Sequence, residues 1–270
     1  MYSGTTFRTK SGRVMGVHQK IDRVARRHLT AHLPKGVVFP RAHDIIHFEG
    51  LHGPDGVKRK SPAVDEPWHY IDPTNPNDHA LIDMILDHIH NLAEALRANN
   101  NERASFEAAW MAHAITDGLT PAHHYPLEAK LEKLRNGKGL ETRISKKDKI
   151  ILPGKTKREQ LRNNWEFWGA KGVMTTHFSF ELGVATTIAP HKLDTFRVTN
   201  DDFEQLKTKG FEAMFRAALD DITRLKMYEE FSRLGWTRRL ARGTRDVLIP
   251  DIIRTVCLGW YAAVIEAEKK

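Results

Sequence analysis

The sequence predicts an all-α fold, organised as one helical domain over residues 1–270 with a basic insertion. Apolar residues recur with the three-to-four-residue period of helices along most of the chain. No segment alternates β-branched and polar residues as half-buried strands do. The long helical segments are joined by loops, with no internal repeat and no linker that would divide the chain.

Residues 18–32 place Ile21, Val24, Ala25 and Leu29 on one face, and Pro34 closes the segment. Residues 34–78 are rich in Pro, Gly and Asp and read as a long irregular stretch, which is uncommon unless it serves a function. Residues 79–98 form an amphipathic helix with Asn77 or Asp78 as its N-cap. Residues 102–118 form another, ended by Gly118 and Pro121. The stretch 130–157 carries NGKG and PGK turn signals and reads as a basic flap or loop. Helices resume at 157–170 and at 173–188, the latter stopping before Pro190, and residues 201–234 and 246–268 complete the set.

The composition is 40% hydrophobic, enough for a sizeable core, and it lacks a run of about 18 apolar residues, so no transmembrane segment is expected. The opening MYSGTTFRTKSGRVMG is polar and has no apolar signal core, which leads to the expectation of a cytoplasmic protein. Cys257 is the single cysteine, so neither an intrachain disulfide nor a thiolate cluster can form, and any zinc would rely on His and carboxylates. Fifteen histidines are many for this length. The formal charge of +8 is local: residues 130–162 hold 12 Lys and Arg against 4 Asp and Glu, and the remainder balances. Such a segment suits an anionic partner, or is simply a solvated loop.

Three segments carry candidate chemistry. In HAITDGLTPAHHYP, His113 and Asp117 stand at i and i+4 and project from one helical face, and His123 follows the helix end. A helix that delivers His, Asp and His into one small volume is suited to binding a metal. In THFSFELG, His177 and Glu181 repeat the spacing. Alone, that pair would be ordinary on a solvated helix, but Phe178 and Phe180 flank it, and Val173, Met174, Leu182 and Val184 make the helix apolar. Buried polar groups in such a setting need partners. In PWHYIDP, His69 lies between Trp68 and Tyr70, and Asp55 stands fourteen residues upstream in the turn GPDG.

Together these segments resemble the superfamily of zinc-dependent phospholipases C and single-strand-preferring zinc nucleases. The resemblance rests on His113-x3-Asp117-x5-His123, on His177-x3-Glu181, and on His69 to Pro73 with Asp55 before it, and does not cover residues 190–270. It implies an all-α phosphodiester hydrolase. One zinc would be held by Asp55, His69, His113 and Asp117, and a second by His123, His177 and Glu181. His18 resembles the histidine of the family's third zinc, which the family completes with the amino group and carbonyl of an N-terminal Trp. Here the chain opens with Met1 and has no Trp before His18, so two zincs are expected and the third site is left incomplete. The resemblance also makes a metal-acidified water the nucleophile, with Asp55 orienting or deprotonating it.

Other histidines are set aside. His88 and His90 read as surface or core positions, His28 and His32 as a solvated face beside Arg26 and Arg27, and His124 yields to His123 on spacing. His43-Asp44 resembles the HD phosphohydrolases but falls in irregular sequence, and Asp44 is kept as an alternative to Asp55. The substrate expected is an anionic phosphodiester: a phospholipid, single-stranded nucleic acid or a small ester, with peripheral membrane contact possible through the basic segment. Trp68, Tyr70, Trp165 and Trp168 are either stacking platforms for bases or core aromatics. The rival reading is a non-catalytic, zinc-stabilised helical module that binds polyanions through the same basic arm.

Overall fold

The computed structural model describes residues 1–2, 16–60, 69–193 and 198–269, residues 58–60 by their backbone alone. No strand occurs among the described residues. The first helices are α1 (Val17–Thr30), α2 (Ala42–His47), α3 (Pro54–Lys60), α4 (Ala80–Arg97) and α5 (Asn101–Gly118). The middle of the chain forms α6 (Leu127–Leu134), α7 (Lys146–Ile150), α8 (Lys157–Trp168) and α9 (Val173–Ile188). Then come α10 (Asn200–Lys209), α11 (Phe211–Arg224), α12 (Met227–Leu234), α13 (Arg238–Gly243) and α14 (Ile249–Glu268).

Helix α5 is the axis of the main core. Its Ala104, Ala108, Ala109, Ala112 and Ala114 are all buried, and small side chains let α4 and α14 pack closely against it. At Gly259 of α14 a Cβ would come within 2.9 Å of Ile115 Cδ1, so a larger residue there would have to displace that side chain. Trp260 beside it is fully buried and donates from Nε1 to the Ala108 carbonyl at 2.8 Å. Helix α1 buries Ile21, Val24, Ala25 and Leu29, as its periodicity requires, and lies against α14, α2 and α5. A second, smaller core joins Leu127, Leu131 and Leu134 of α6 to Leu152, Phe167 and Tyr70.

Several boundaries differ from the sequence expectation. Among its described residues, the stretch 34–78 contains α2, the short turn Gly50–His52 and α3, so it is not one irregular loop. Asp55 thus stands in the first turn of a helix, and His43-Asp44 lies on α2. Helix α4 has His79 at its N-cap with no side-chain bond, because Asp78 instead accepts the Asp72 backbone N–H at 2.8 Å. The basic stretch 130–157 holds most of α6 and all of α7, stabilised by a Ser145–Asp148 capping box, so it is not a continuous loop. Residues 201–234 break into three helices at Gly210 (φ 80°) and Lys226 (φ 50°). Pro250 has no N–H to donate, and the chain ahead of it widens into a π-helical turn at Thr244–Leu248.

The sequence analysis found no membrane-spanning run, yet the continuous helical segment Arg238–Glu268 includes a window long and apolar enough to cross a bilayer, with mean hydropathy 1.5. Two-thirds of that window, 67%, is buried inside the protein, which accounts for its apolar character as a core helix.

Replacing Trp260 by Ala is expected to cost about 3–5 kcal/mol of stability, because it removes a filled volume and a buried hydrogen bond together. Urea denaturation with circular dichroism checks this, and a loss below about 1 kcal/mol would show that the core at α5 and α14 collapses around the gap.

Candidate metal centre

Four segments meet at one end of α5. The helix carries His113 and Asp117 on its buried face and stops at Gly118, where a Cβ would sit 2.7 Å from Leu81 Cδ2. The chain turns through the short Pro121–His123 helix, pinned by the His123 N–H bond to the Thr120 carbonyl at 2.8 Å, and so returns His123 toward Asp117. Segment 69–72 clasps that turn: His123 Nδ1 lies 2.7 Å from the His69 carbonyl, and the Ile71 N–H donates to the His123 carbonyl at 3.2 Å. Helix α9 contributes His177 and Glu181, both buried. Lys20 of α1 caps the last turn of α9 through the carbonyls of Ile188 and Ala189, at 2.5 and 3.1 Å, which fixes α1 and its His18 against α9.

These side chains lie close together. Three groups have ligand atoms within 4.8 Å of one another: Asp55, His69 and His113; His123, His177 and Glu181; and His18, His113 and Asp117. Asp117 is shared. Its Oδ2 lies 2.5 Å from His69 Nδ1 and 3.2 Å from His113 Nε2, and its Oδ1 lies 3.3 Å from His18 Nε2 and 3.6 Å from His123 Nε2. Glu181 Oε1 is 3.1 Å from His123 Nε2 and 2.9 Å from His177 Nε2. The far nitrogen of His177 faces the Ala122 carbonyl at 3.2 Å, so both His123 and His177 turn Nε2 inward.

Met1 changes the expectation about the third group. Its amino group pairs with Asp117 and lies 3.3 Å from Glu181, and its carbonyl lies 2.7 Å from His18 Nε2. The Tyr2 carbonyl accepts the Val17 N–H at 2.8 Å, which ties this dipeptide to the start of α1. From the sequence, the lack of Trp before His18 reads as a gap. The amine and carbonyl of Met1 lie beside Asp117 and His18 there.

The donor set fits divalent ions. Imidazoles and carboxylates crowd into one buried volume whose facing carboxylates would repel one another without cations. His113 Nε2 is buried with no hydrogen bond, facing Asp117 and Asp55, the latter at 3.9 Å. Protons supply part of the opposing charge. Burial pulls the Met1 ammonium down, but Asp117 and Glu181 outweigh it and hold it at about 10. Burial likewise opposes charge on His113, but Glu49 and Asp117 raise it well above the ordinary value. Burial pushes His123 down to about 3, so its ring is neutral. For Asp117 and Glu181 burial opposes ionisation, but the facing imidazoles and the Met1 ammonium prevail and hold both carboxyls well below the usual range.

Sequence reasoning missed Glu49 and Asp22. Buried Glu49 spans His113 Nδ1 with both oxygens, at 3.2 and 3.3 Å, the carboxylate–imidazole support usual behind a metal ligand. Asp22 is buried near it, its carboxyl pushed up by burial and then by the Glu49 charge. The signal for Asp22 was present, since His18 and Asp22 repeat the i, i+4 spacing on α1. Glu49 carried no pattern at all. Asp44 is not part of the cluster: it pairs with Arg41 and His43 at the surface, and of the two alternatives it is Asp55 that lies beside the cluster. His124 is half-buried with Nε2 2.8 Å from the Gly118 carbonyl and is pushed down to about 4 by desolvation, while His88 pairs with Glu107 and His90 with Glu266.

The cluster floors a cavity of about 380 Å³. Asp55 is the half-open member, its side chain 29% exposed. The opposite wall comes from the basic stretch, with Arg143, Lys146 and Lys149, and from Leu131, Ile150, Phe167, Trp168 and Phe178. Tyr70 is buried within 5.0 Å of the His123 ring and Trp165 is exposed, whereas Trp68 lies outside the described residues.

No family model matches the sequence, and no curated protein does. A solved structure does match over 94% of this chain, with a TM-score of 0.57 and 14% identity. The fold is shared with Clostridium perfringens alpha-toxin. That crystal structure is of the toxin isolated from an avian strain, and the match spans 65% of the toxin chain, just under two-thirds of its length. At this identity the likeness concerns the all-α fold.

Zinc binding is expected to release protons near neutral pH, because ligation must displace those on Met1 and His113, and affinity should therefore rise with pH. Calorimetry in two buffers of different ionisation enthalpy measures the release, and a buffer-independent heat would refute it. Glu49→Gln is expected to weaken zinc roughly 10–100-fold with the fold intact, measured by competition with a chelator.

Proposed function

We propose that this chain is a zinc-dependent phosphodiester hydrolase of the zinc phospholipase C and single-strand-preferring nuclease superfamily. The observation that carries the reading is the meeting of three His/Asp/Glu groups on the floor of one cavity, with Asp55 open to it. A purely structural metal site is closed, whereas a catalytic one keeps access for water and substrate. The all-α fold shared with alpha-toxin and the motif order from Asp55 to Glu181 support the same assignment.

In this reading Asp55, His69, His113 and Asp117 hold one ion, and His123, His177 and Glu181 hold a second. A third is held by His18, Asp117 and the amino group and carbonyl of Met1. Zinc bound there supplies Lewis acidity, which acidifies water and neutralises charge on a phosphate. The chain's own residues supply the rest. Asp55, the exposed carboxylate, orients the attacking water and accepts its proton. The Glu49 carboxylate keeps His113 turned so that Nε2 faces the cluster. Neutral His123 and ionised Glu181 present lone pairs without first shedding protons. Arg143, Lys146 and Lys149 line the wall opposite and attract the phosphodiester anion.

With zinc in excess to keep the site filled, Asp55→Asn is expected to lower hydrolysis of bis-p-nitrophenyl phosphate by at least about 100-fold. Fully zinc-loaded wild-type protein with no turnover of this ester, of lipid or of single-stranded DNA would instead favour a polyanion-binding module. Residues added ahead of Met1 are expected to lower metal content by one of the three groups, by removing the amine from the cluster. Metal analysis per chain decides this, and unchanged content would remove Met1 as a ligand.

A further inference from the structure

The basic segment and the helix after it are built inside out. Of the eleven exposed large apolar side chains among the described residues, eight fall between positions 144 and 182. On α8, Asn163 and Phe167 face inward, while Leu161, Trp165 and Trp168 follow the i, i+4, i+7 spacing of one stripe and all point to solvent. Leu161 is 73% exposed and Trp165 72%. On α9, which packs against α8, Phe178 and Leu182 repeat the pattern one turn apart, also exposed. Trp168 Nε1 donates to the Ile150 carbonyl at 2.8 Å, which joins α7, with its exposed Ile150, to the same face.

Cations flank these side chains. Lys157, Arg158 and Arg162 lie on α8, and Lys146 and Lys149 on α7. The nearby acids are engaged: Asp148 in the capping box of α7, Glu166 with Lys130, and Glu159 with the Lys155 N–H at 2.7 Å. The face is therefore net positive as well as apolar. It also surrounds the cavity mouth, because Lys146, Lys149, Ile150, Trp168 and Phe178 line the same cavity as Asp55 and the metal-ligand set.

We propose that the outward face of α7, α8 and α9 docks the cavity mouth onto an anionic lipid bilayer. Aliphatic and tryptophan side chains ringed by Lys and Arg match the chemistry of a charged membrane surface: apolar groups enter the headgroup–acyl boundary and the cations meet anionic headgroups. Nucleic acid suits the face less well, because Ile150, Leu161 and Leu182 offer no ring on which a base can stack. Docked this way, a phosphodiester in the headgroup layer reaches Asp55 and the metal ligands without leaving the bilayer. Catalysis on the docked lipid rests on the hydrolase reading, whereas docking itself stands on the surface alone.

The test is co-sedimentation of zinc-loaded protein with phosphatidylcholine vesicles, with and without phosphatidylglycerol. Expected are binding to the anionic vesicles, its weakening as salt screens the charges, and a blue shift of tryptophan emission on binding. The double substitution Leu161→Ser/Trp165→Ser should lower the bound fraction roughly tenfold, and Arg158→Glu/Arg162→Glu should abolish the preference for anionic lipid. Zinc content and thermal melting of each variant show that it is folded. Failure of the wild-type protein to bind anionic vesicles would overturn the proposal. So would unchanged vesicle binding by both folded variants, or binding to a single-stranded oligonucleotide in place of vesicles. Turnover of bis-p-nitrophenyl phosphate in the same samples separates the two readings: turnover without vesicle binding removes docking alone, and vesicle binding without turnover upholds docking and removes the hydrolase.

Discussion

A single buried carboxylate, that of Asp117, holds the centre of this molecule together. It stands at the last turn of α5, and its two oxygens face the Met1 amine, His18, His69, His113 and His123. These groups come from four stretches of chain far apart in sequence, so each must be carried into place by an element that is rigid on its own account. The packing supplies this: α5 is almost wholly buried, α1 lies along it and α14, and Lys20 pins α1 to the end of α9. An ionised carboxylate in such a place is tolerated only when opposite charge surrounds it. The elevated Met1 ammonium and His113 and the depressed Asp117 are the electrostatic marks of that requirement.

The same constraint explains the layers outside the cluster. Glu49 and the carbonyls of His69 and Ala122 face the outer nitrogens of His113, His123 and His177. Each fixes the ring so that its inner nitrogen is available, and each is itself fixed by backbone or by burial. Main-chain geometry thus decides side-chain orientation here, down to the amino end of the chain, whose backbone atoms enter the cluster directly.

Beyond the cluster the molecule changes character. The main core is apolar and alanine-rich, whereas the smaller core beneath α6 and α8 supports a wall that is basic and apolar at once. That wall and the buried His/Asp/Glu groups line one cavity. Residues 130–162 hold the whole excess charge of the chain, and three of their cations, Arg143, Lys146 and Lys149, line the cavity. The fold shared with alpha-toxin spans 94% of the chain at 14% identity.

The sequence by itself determined the helical class and two of the side-chain pairs at the site. Both are local facts: a 3.6-residue period sets which residues share a face, and an i, i+4 spacing puts His113 with Asp117 and His177 with Glu181 whatever the rest of the chain does. Only the tertiary structure decided how these pairs face one another, because that depends on contacts across more than a hundred residues. It brought Met1 to His18, set Glu49 behind His113, and left Asp44 at the surface while Asp55 reached the cavity. It also showed α7 and α8 with apolar side chains turned outward, since no periodicity states which face of a helix its neighbours will cover.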